Sequence, residues 1–294
     1  MAKENREHKD SVFTDLFCKD ETAKENLLEL HNALYDTNDT DPELIKVISL
    51  EDVLFKNLKN DVAFTVRNQK IVLSEHQSTV NPNIPLRDLL YIAREYEKII
   101  AVRDRYKTSL VKIPTPRFFV FYNGTEDYPA EQILKLSAAF CETEENISLE
   151  LAVKVININP DKQHEILEKC KVLREYSQFV EATRNYREDE DQLQKAVKEC
   201  IEKGILADYL LRKSSEVVNM LMAEYDYEMD IEVQREEAAK EASKKADDKR
   251  FVEDVGKIVK NFCITPEEAC RKLEESYERY LQIKEQYTEN TEKP

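Results

Sequence analysis

Three polar residues in a predicted β-hairpin have the most informative spacing in the sequence. Asp61 opens the first predicted strand, and Glu75 and Gln77 lie two residues apart near the end of the second. Because side chains alternate along a strand, Glu75 and Gln77 share a face with Ile71 and Leu73. A carboxylate at the end of an apolar strand needs a partner. Two neighbouring carboxylates repel each other, and an oxygen-ligated Mg²⁺ or Mn²⁺ ion would remove that repulsion.

The register of the hairpin decides whether Asp61 joins that face. A two-residue loop at 68–69 would set Asp61 opposite His76, and Glu75 would face the other way. A three-residue loop or a bulge would bring Asp61 onto the face of Glu75. The spacing also permits a simpler interpretation, in which Asp61 is a turn residue and Glu75 is a solvent-facing strand residue. A shared metal site therefore requires one particular register.

The elements that would position these residues form a mixed α/β pattern. Val62, Phe64 and Val66 alternate with other residues, and a second apolar run follows the polar RNQK segment, which predicts a hairpin over 61–79. Apolar spacing and turn residues predict the remaining elements. They are helices at 10–36, 86–110 and 129–140, and strands at 44–50, 117–124 and 147–158.

Helical spacing replaces the strand patterns after residue 160. The charge-rich stretch 234–250 predicts a solvated helix or a linker. The TPEE motif at 265–268 predicts a helix start with a capping box. We therefore expect an α/β core over residues 1–160 and a helical C-terminal region over residues 161–294. The other predicted helices of that region are at 162–187, 190–203 and 205–228.

Composition excludes several classes of protein. The chain has 294 residues, of which 41% are hydrophobic, so it is not a wholly disordered chain. No apolar run approaches the ~18 residues needed to span a bilayer. The polar first residues show no secretory signal, so we expect a cytoplasmic protein. The six cysteines form no CxxC pair, and the net charge of −16 argues against binding nucleic acid by bulk charge.

A local cationic segment follows the hairpin. Residues 87–117 hold eight Lys or Arg against four Asp or Glu, a local charge of +4. Such a segment could position the phosphates of DNA, with Arg87 and Arg94 as the candidate nucleic-acid contacts. A solvated helix of mixed charge explains the same residues. Tyr91 and Tyr106 could stack on bases, although aromatic residues in helices commonly belong to the core.

The hairpin motif resembles that of a known family. Asp61 and the pair Glu75 and Gln77 form a D-x(13)-E-x-Q pattern within LSEHQST, and Pro82 and a helix carrying Arg87 follow. This resembles the Rpn family of recombination-promoting nucleases, also called putative transposases, within the PD-(D/E)XK superfamily. The resemblance covers roughly residues 8–185. Three supporting segments match in order, HKDSVFTDLF at 8–17, PRFFVFYNG at 116–124 and LELAVKVININ at 149–159.

The resemblance implies a fold and an activity. The fold would be a restriction-endonuclease-like α/β core, with a central mixed sheet flanked by helices. The activity would be Mg²⁺- or Mn²⁺-dependent cleavage of DNA, linked to recombination or mobile elements. Asp61 and Glu75 would bind the metal. Gln77 would occupy the position of the superfamily's lysine, where it would orient or polarise the attacking water.

Some questions stay open at this point. A first-helix carboxylate such as Asp10, Asp15 or Glu29 could complete the site. His76 alternates to the opposite strand face and is interpreted as structural. The C-terminal helices could mediate homo-oligomerisation or regulation. The alternative function is a non-catalytic interaction protein, which would keep a nuclease-like core as a scaffold and bind a partner through its acidic helical region.

Overall fold

The structure is a computed structural model that describes residues 11–48, 61–79, 81–142, 146–186 and 189–291. The chain forms two compact units, Met1–Tyr225 and Asp226–Pro294. In the first unit, helices cover both faces of a mixed β-sheet, and the described part of the second unit is helical. The predicted α/β fold class, a central mixed sheet flanked by helices with a helical C-terminal region, is confirmed.

The described residues form one sheet of six strands. Its order is β1-β2-β3-β4-β6-β5. β1, β2 and β3 are antiparallel neighbours, whereas β3, β4 and β6 run parallel, and β5 is antiparallel to β6. The carboxyl ends of β3, β4 and β6 therefore meet at one end of the sheet. The strands are β1 (Ile45–Ile48), β2 (Asp61–Val66), β3 (Lys70–Gln77), β4 (Thr115–Tyr122), β5 (Glu131–Lys135) and β6 (Ala152–Asn157).

The described ranges also contain nine α-helices. A π-helical turn at Asp15–Lys19 follows the first of them, and shorter 3₁₀ turns connect several others. The helices are α1 (Val12–Thr14), α2 (Ala23–Tyr35), α3 (Ile84–Ile99), α4 (Ile166–Lys169), α5 (Lys171–Thr183), α6 (Glu190–Glu202), α7 (Ala207–Phe262), α8 (Pro266–Lys272) and α9 (Tyr277–Thr291).

The two faces of the sheet pack in separate apolar cores. On one face, here called the α5 face, Val72 and Phe121 share a core with residues of α1, α2, α5 and α6. On the other face, here called the α3 face, Ile71 and Leu73 share a core with Tyr91 of α3. Neighbouring residues of β3 thus alternate between the two cores, as the pleat of a strand requires.

α4, α5, α6 and the start of α7, which follow the last strand, belong to the first unit. The strand pattern ends near residue 160, whereas the compact units divide at residue 225. Leu173, Phe179, Leu193 and Leu210 are fully buried, and all four lie in the core of the α5 face. Burial of these side chains against the sheet keeps α5, α6 and the start of α7 with the strands.

The prediction of a helix over residues 129–140 is wrong. β5 occupies Glu131–Lys135, and a 3₁₀ turn follows at Leu136–Ala139. β5 pairs along its length with the edge of β6. Leu134 and Leu136 both pack in the core of the α3 face, and their spacing of two residues is the period of a strand. Pairing with the sheet therefore outweighs the local helical preference of this segment.

Other predicted elements are present with different limits. α3 ends at Ile99 and a 3₁₀ turn occupies Val102–Tyr106, so the predicted helix over 86–110 is too long. β6 begins at Ala152, five residues later than predicted. The stretch 234–250 lies within α7 and its side chains are almost all exposed, so it is a solvated helix rather than a linker.

The second unit contains the predicted capping box. Thr265 Oγ1 accepts a hydrogen bond from Glu268 N at 3.2 Å, and Thr265 N donates to Glu268 Oε2 at 3.0 Å. These bonds satisfy backbone N–H groups at the start of α8, so the prediction from the TPEE motif is confirmed. Val255, Cys270 and Tyr280 are among the residues of a small apolar core in this unit.

A buried ion-pair cluster connects the first helices with the start of α7. Asp15 accepts hydrogen bonds from Tyr209 and from Lys213, both at 2.8 Å. Asp20 accepts one from Arg212 at 2.8 Å, and Lys213 Nζ lies 3.5 Å from its other oxygen. Both carboxylates are buried, so each requires these cationic partners. Lys213 has non-helical backbone angles, which mark a kink in α7 at the cluster.

The pKa of Asp20 yields a test of this cluster. Burial raises the pKa, but hydrogen bonds from Thr22 and Arg212 outweigh burial and hold it below its ordinary value. A depressed folded-state pKa stabilises the fold above the unfolded-state pKa of about 4, and this stabilisation is lost as pH falls through the folded-state pKa. We expect Asp20→Asn to lower the free energy of unfolding at neutral pH, and the deficit to shrink at low pH.

Urea unfolding of both chains between about pH 3 and pH 7 measures this deficit. Asp161→Asn changes an exposed carboxylate and serves as the control, for which we expect little difference at any pH. A deficit for Asp20→Asn that stays constant as the solution becomes acidic would contradict the assignment.

Candidate metal-binding site

The hairpin closes with a three-residue turn. Val66 pairs with Lys70, so the turn consists of the three residues between them, and Gln69 N donates to Val66 O at 2.9 Å. Arg67 and Asn68 have φ angles of 52° and 53°, in the left-handed region. Asn tolerates this region better than most residues, whereas Arg rarely adopts it. The turn length decides which residues of the two strands lie opposite each other.

The resulting register places the three predicted site residues on one face. Asp61 lies directly opposite Glu75, and Gln77 follows two residues later in β3. Directly opposed residues of antiparallel strands share a face, with Cα atoms about 4.5–5.5 Å apart. This is the α3 face, which also carries Ile71 and Leu73. The observed register is the one that a shared metal site requires.

The metal-ligand assignment itself stays a prediction. The side chains of Asp61 and Glu75 lie outside the described part of the structure. Among the described residues, no group of three or more His, Cys, Asp or Glu could hold a metal ion. The backbone shows two carboxylate-bearing positions side by side, one at the start of β2 and one near the end of β3. Gln77 is half-buried at the end of β3.

The ends of β3 and β4 approach each other closely beside Gln77. Asn123 N donates to Gln77 O at 3.0 Å. A Cβ atom on Gly124 would overlap the carbonyl oxygen of Ser78 and the hydroxyl group of Tyr122. Only glycine therefore permits this approach. Asn123 and Gly124, directly after β4, therefore fix the backbone at Gln77 and Ser78, where the chain leaves β3.

Arg184, directly after α5, ties the ends of β4 and β6 together. Its guanidinium group donates to Asn123 O and, at 3.3 Å, to Asn159 Oδ1. Asn159 Nδ2 in turn donates to Gly124 O at 2.9 Å and to Asn157 Oδ1 at 3.0 Å. Local sequence patterns predict no role for these residues, although Asn157 and Asn159, two apart at the end of a buried strand, are a signal that could indicate one. Together they fix the end of the sheet that carries Gln77.

His76 lies on the opposite face from Gln77 and has structural contacts. Its Nε2 atom is 3.2 Å from the hydroxyl oxygen of Tyr176, and its ring stacks on Phe13 with centroids 5.3 Å apart. Both partners belong to the core of the α5 face. These contacts agree with the structural interpretation of His76.

The candidate nucleic-acid contacts Arg87 and Arg94 both lie on α3. They are seven residues apart, which is two helical turns, so they lie along the same side of the helix. Both side chains are half-buried. Six residues separate Gln77 from the start of α3 at Ile84, which keeps Arg87 near the carboxyl end of β3. A role in binding DNA stays a prediction.

Two acidic residues of α3 are buried rather than solvated. Asp88 is 7% exposed and Glu95 is 4% exposed, and Glu95 pairs with Lys98 at 3.0 Å. From the sequence, both acids were counted only as charges that offset the cations of this segment. Their spacing was a signal of burial, because both positions continue the buried stripe of Ile84 and Tyr91.

The described first-helix carboxylates have partners away from the candidate site. Asp15 is bound by Tyr209 and Lys213, as described above. Glu29 accepts a hydrogen bond from the backbone N–H of Lys171. These elements pack on the α5 face, opposite the face that carries positions 61 and 75. Asp10 lies outside the described residues.

The comparisons with known proteins show the family. A family model described as "Putative transposase, YhgA-like" matches residues 7–204, which is more than half of the chain. The chain therefore belongs to the YhgA-like family of putative transposases, and the resemblance found in the hairpin is confirmed. Neither the curated proteins nor the solved structures contain a match to the chain. No helix within the described ranges is long and apolar enough to cross a membrane.

The close approach at Gly124 yields a second prediction. Gly124→Ala would push the added methyl group into the backbone of Ser78, and we expect it to lower the free energy of unfolding by about 1–3 kcal/mol. Gly256→Ala, within α7, is the matched control because a Cβ atom there meets nothing within 4 Å. We expect that control to be neutral or to stabilise the helix by up to about 1 kcal/mol. Urea unfolding measures both values, and equal effects would contradict the close approach.

Proposed function

We propose that this protein is a metal-dependent endonuclease of the PD-(D/E)XK type that hydrolyses phosphodiester bonds in DNA. The observation that carries the proposal is the strand register, which sets Asp61 opposite Glu75 with Gln77 on the same face. Membership of a putative transposase family associates the protein with mobile elements. DNA recombination is the process that we infer for this activity.

Asp61 and Glu75 would hold the metal ion. Like charges on directly opposed strand positions are destabilising, and a divalent cation between them would remove that cost. Carboxylate oxygens suit Mg²⁺ or Mn²⁺, which retain several waters when one or two carboxylates bind them. When bound, the ion would lower the pKa of a coordinated water and offset the negative charge that develops on the phosphate. The donor set at these two positions therefore fits the metal that the family resemblance implies.

Gln77 would orient the attacking water. Its side-chain amide offers both an acceptor oxygen and a donor nitrogen, but it has no charge. It therefore cannot supply the positive charge of the superfamily's lysine. The bond from Asn123 N to Gln77 O and the contact of Gly124 with Ser78 hold the backbone at this position and directly after it. A fixed backbone keeps the amide where an orienting role needs it.

Arg87 and Arg94 would position the DNA. They follow one side of α3, the helix that packs on the face carrying the candidate site. Contacts between cations and phosphates set the register and orientation of DNA on a protein without reading its sequence. The net charge of −16 makes such local contacts necessary, because the protein as a whole repels DNA.

Cleavage of supercoiled plasmid by the full-length protein tests the proposal. We expect nicking with Mg²⁺ or Mn²⁺ and none with chelator. Glu75→Ala and Asp61→Asn should each lower the rate at least about 10²-fold, because even outer-shell partners of metal ligands are worth about 10–100-fold. Circular dichroism would establish that both variants are folded.

Asp127→Asn provides the matched control for these variants. Its side chain is 96% exposed, so removal of its charge should leave the rate unchanged. Metal-dependent nicking that survives Glu75→Ala would contradict the assigned site. A folded, intact protein that cuts no DNA with either metal would favour the non-catalytic interaction protein.

Substitutions of Gln77 test whether its side chain contributes by orienting the attacking water, and whether a positive charge can replace it. Gln77→Ala removes the hydrogen-bonding groups, and we expect the rate to fall about 10²-fold, within the usual range for loss of an orienting polar group. Gln77→Lys introduces the residue of the superfamily motif, and it should retain more activity than Gln77→Ala. Initial rates of plasmid nicking at saturating metal measure both effects. Equal rates for Gln77→Ala and the native chain would remove Gln77 from the mechanism.

A further inference from the structure

The loop between α3 and β4 exposes large apolar side chains. This α3–β4 loop covers residues 100–114. Tyr106 is 82% exposed, Leu110 is 89% exposed and Val102 is 67% exposed. Side chains of this size are seldom so exposed together on one short segment unless they meet a partner. The loop is therefore a candidate interaction surface.

Cationic residues are interspersed with these apolar residues in the sequence of the loop. Arg103, Arg105, Lys107 and Lys112 oppose the single acid Asp104, so the loop carries +3 in a chain of net charge −16. Asp104 pairs with Lys107 at 2.5 Å. Within the described residues, Arg103 and Lys112 form no ion pair, which leaves both cations for an anionic partner. The charge of the loop is thus complementary to phosphate.

Hydrogen bonds hold the loop in shape. Tyr96 donates to Pro114 O at 2.7 Å, and Arg105 donates to Glu97 O at 3.3 Å. Val102–Tyr106 forms a 3₁₀ turn. A loop that is already ordered loses less conformational entropy when it binds. Tyr106 therefore belongs to an ordered loop, with Arg105 and Lys107 as its neighbours in the sequence.

We propose that the α3–β4 loop binds unpaired DNA bases, with the ring of Tyr106 stacking on a base and its cations contacting phosphates. Aromatic side chains in a cationic surrounding are the usual recognition surface for single-stranded nucleic acid, because every unpaired base presents a face for stacking. Bases inside a regular duplex are stacked on each other and do not present that face. This inference rests on the proposed nuclease function, and it names the substrate as DNA with a single-stranded segment.

The fold also sets the distance between this loop and the candidate metal site. β4 begins at Thr115 opposite Lys70, whereas Glu75 lies near the other end of β3. Five residue steps along the strand, from position 70 to position 75, correspond to about 17 Å. Duplex DNA rises 3.4 Å per base pair, so the distance from the end of the loop to the candidate metal site spans about five base pairs. The substrate that fits is a fork or flap, which the protein would cut in the duplex part, several base pairs from the junction.

A single introduced tryptophan reports stacking directly. The chain contains no Trp, so Tyr106→Trp would provide the only indole fluorophore. We expect single-stranded and forked DNA to quench its emission in the full-length, chelator-treated protein, with weaker quenching as salt rises. Blunt duplex of the same length should quench it little. Phe140→Trp is the matched control, since Phe140 is also exposed, at 42%, but is followed by acidic residues, and it should not respond.

Affinity measurements test the contribution of the ring. Tyr106→Ala should weaken binding of forked DNA about 5- to 150-fold, the range expected for loss of one stacked base. Tyr106→Phe keeps the aromatic ring and should bind forked DNA about as tightly as the native chain. Equal affinity for Tyr106→Ala and the native chain would overturn the proposal, as would equal quenching by duplex and single strand. Quenching by vesicles of anionic phospholipid but not by DNA would also overturn it, in favour of a membrane surface.

Cleavage of forked DNA separates this inference from the proposed function. If forked DNA quenches the tryptophan at position 106 but neither metal supports cutting, the nuclease assignment fails and the binding surface stands. If the native chain cuts forked DNA and Tyr106→Ala cuts it equally well at subsaturating DNA, the nuclease assignment stands and the inference fails. An Asp127→Asn variant should bind forked DNA as tightly as the native chain, because this exposed carboxylate lies outside the α3–β4 loop and outside the candidate metal site.

Discussion

The pairing of β2 with β3 is the constraint on which the candidate site depends. A slip of one residue would move position 61 to the α5 face and away from position 75. The same slip would take Phe64 out of the core of the α5 face, where it is fully buried. Burial of apolar residues therefore fixes the relative placement of the two acidic positions. The free energy that positions the site comes from both cores rather than from the acids themselves.

The second requirement is a fixed end of the sheet. β3, β4 and β6 run parallel, and their carboxyl ends are joined by side-chain bonds to backbone groups as well as by strand pairing. Arg184 reaches this end from a helix on the α5 face, while α3 covers the other face. Functional positions at the carboxyl ends of parallel strands are common because rigid elements meet there and leave loops to bind ligands. Here the bond from Asn123 N to Gln77 O and the close approach of Gly124 to Ser78 hold the chain directly after both strands.

Sequence patterns predicted the features that arise from local chemistry. The hairpin, the buried β4 and the capping box at Thr265 all follow from residue types within a few positions of each other. The length of the hairpin turn could not be predicted in this way. RNQK lacks the Gly that would indicate a two-residue loop, so only the pairing of β2 with β3 decides the turn length. β5 was mistaken for a helix because its partner strand lies about 20 residues away. The bonds of Arg184 were likewise beyond local patterns, since they join distant segments.

The ion-pair cluster at Asp15 has a consequence for how the chain acquires its fold during translation. Asp15 and Lys213 are 198 residues apart in the sequence, so the ribosome must synthesise most of the chain before this buried acid meets its cation. Until then, the segment around Asp15 cannot dock stably in a low-dielectric interior. Contacts of such long sequence separation slow folding and expose apolar surface in the meantime. The N-terminal helices therefore gain their final buried contacts only late in synthesis.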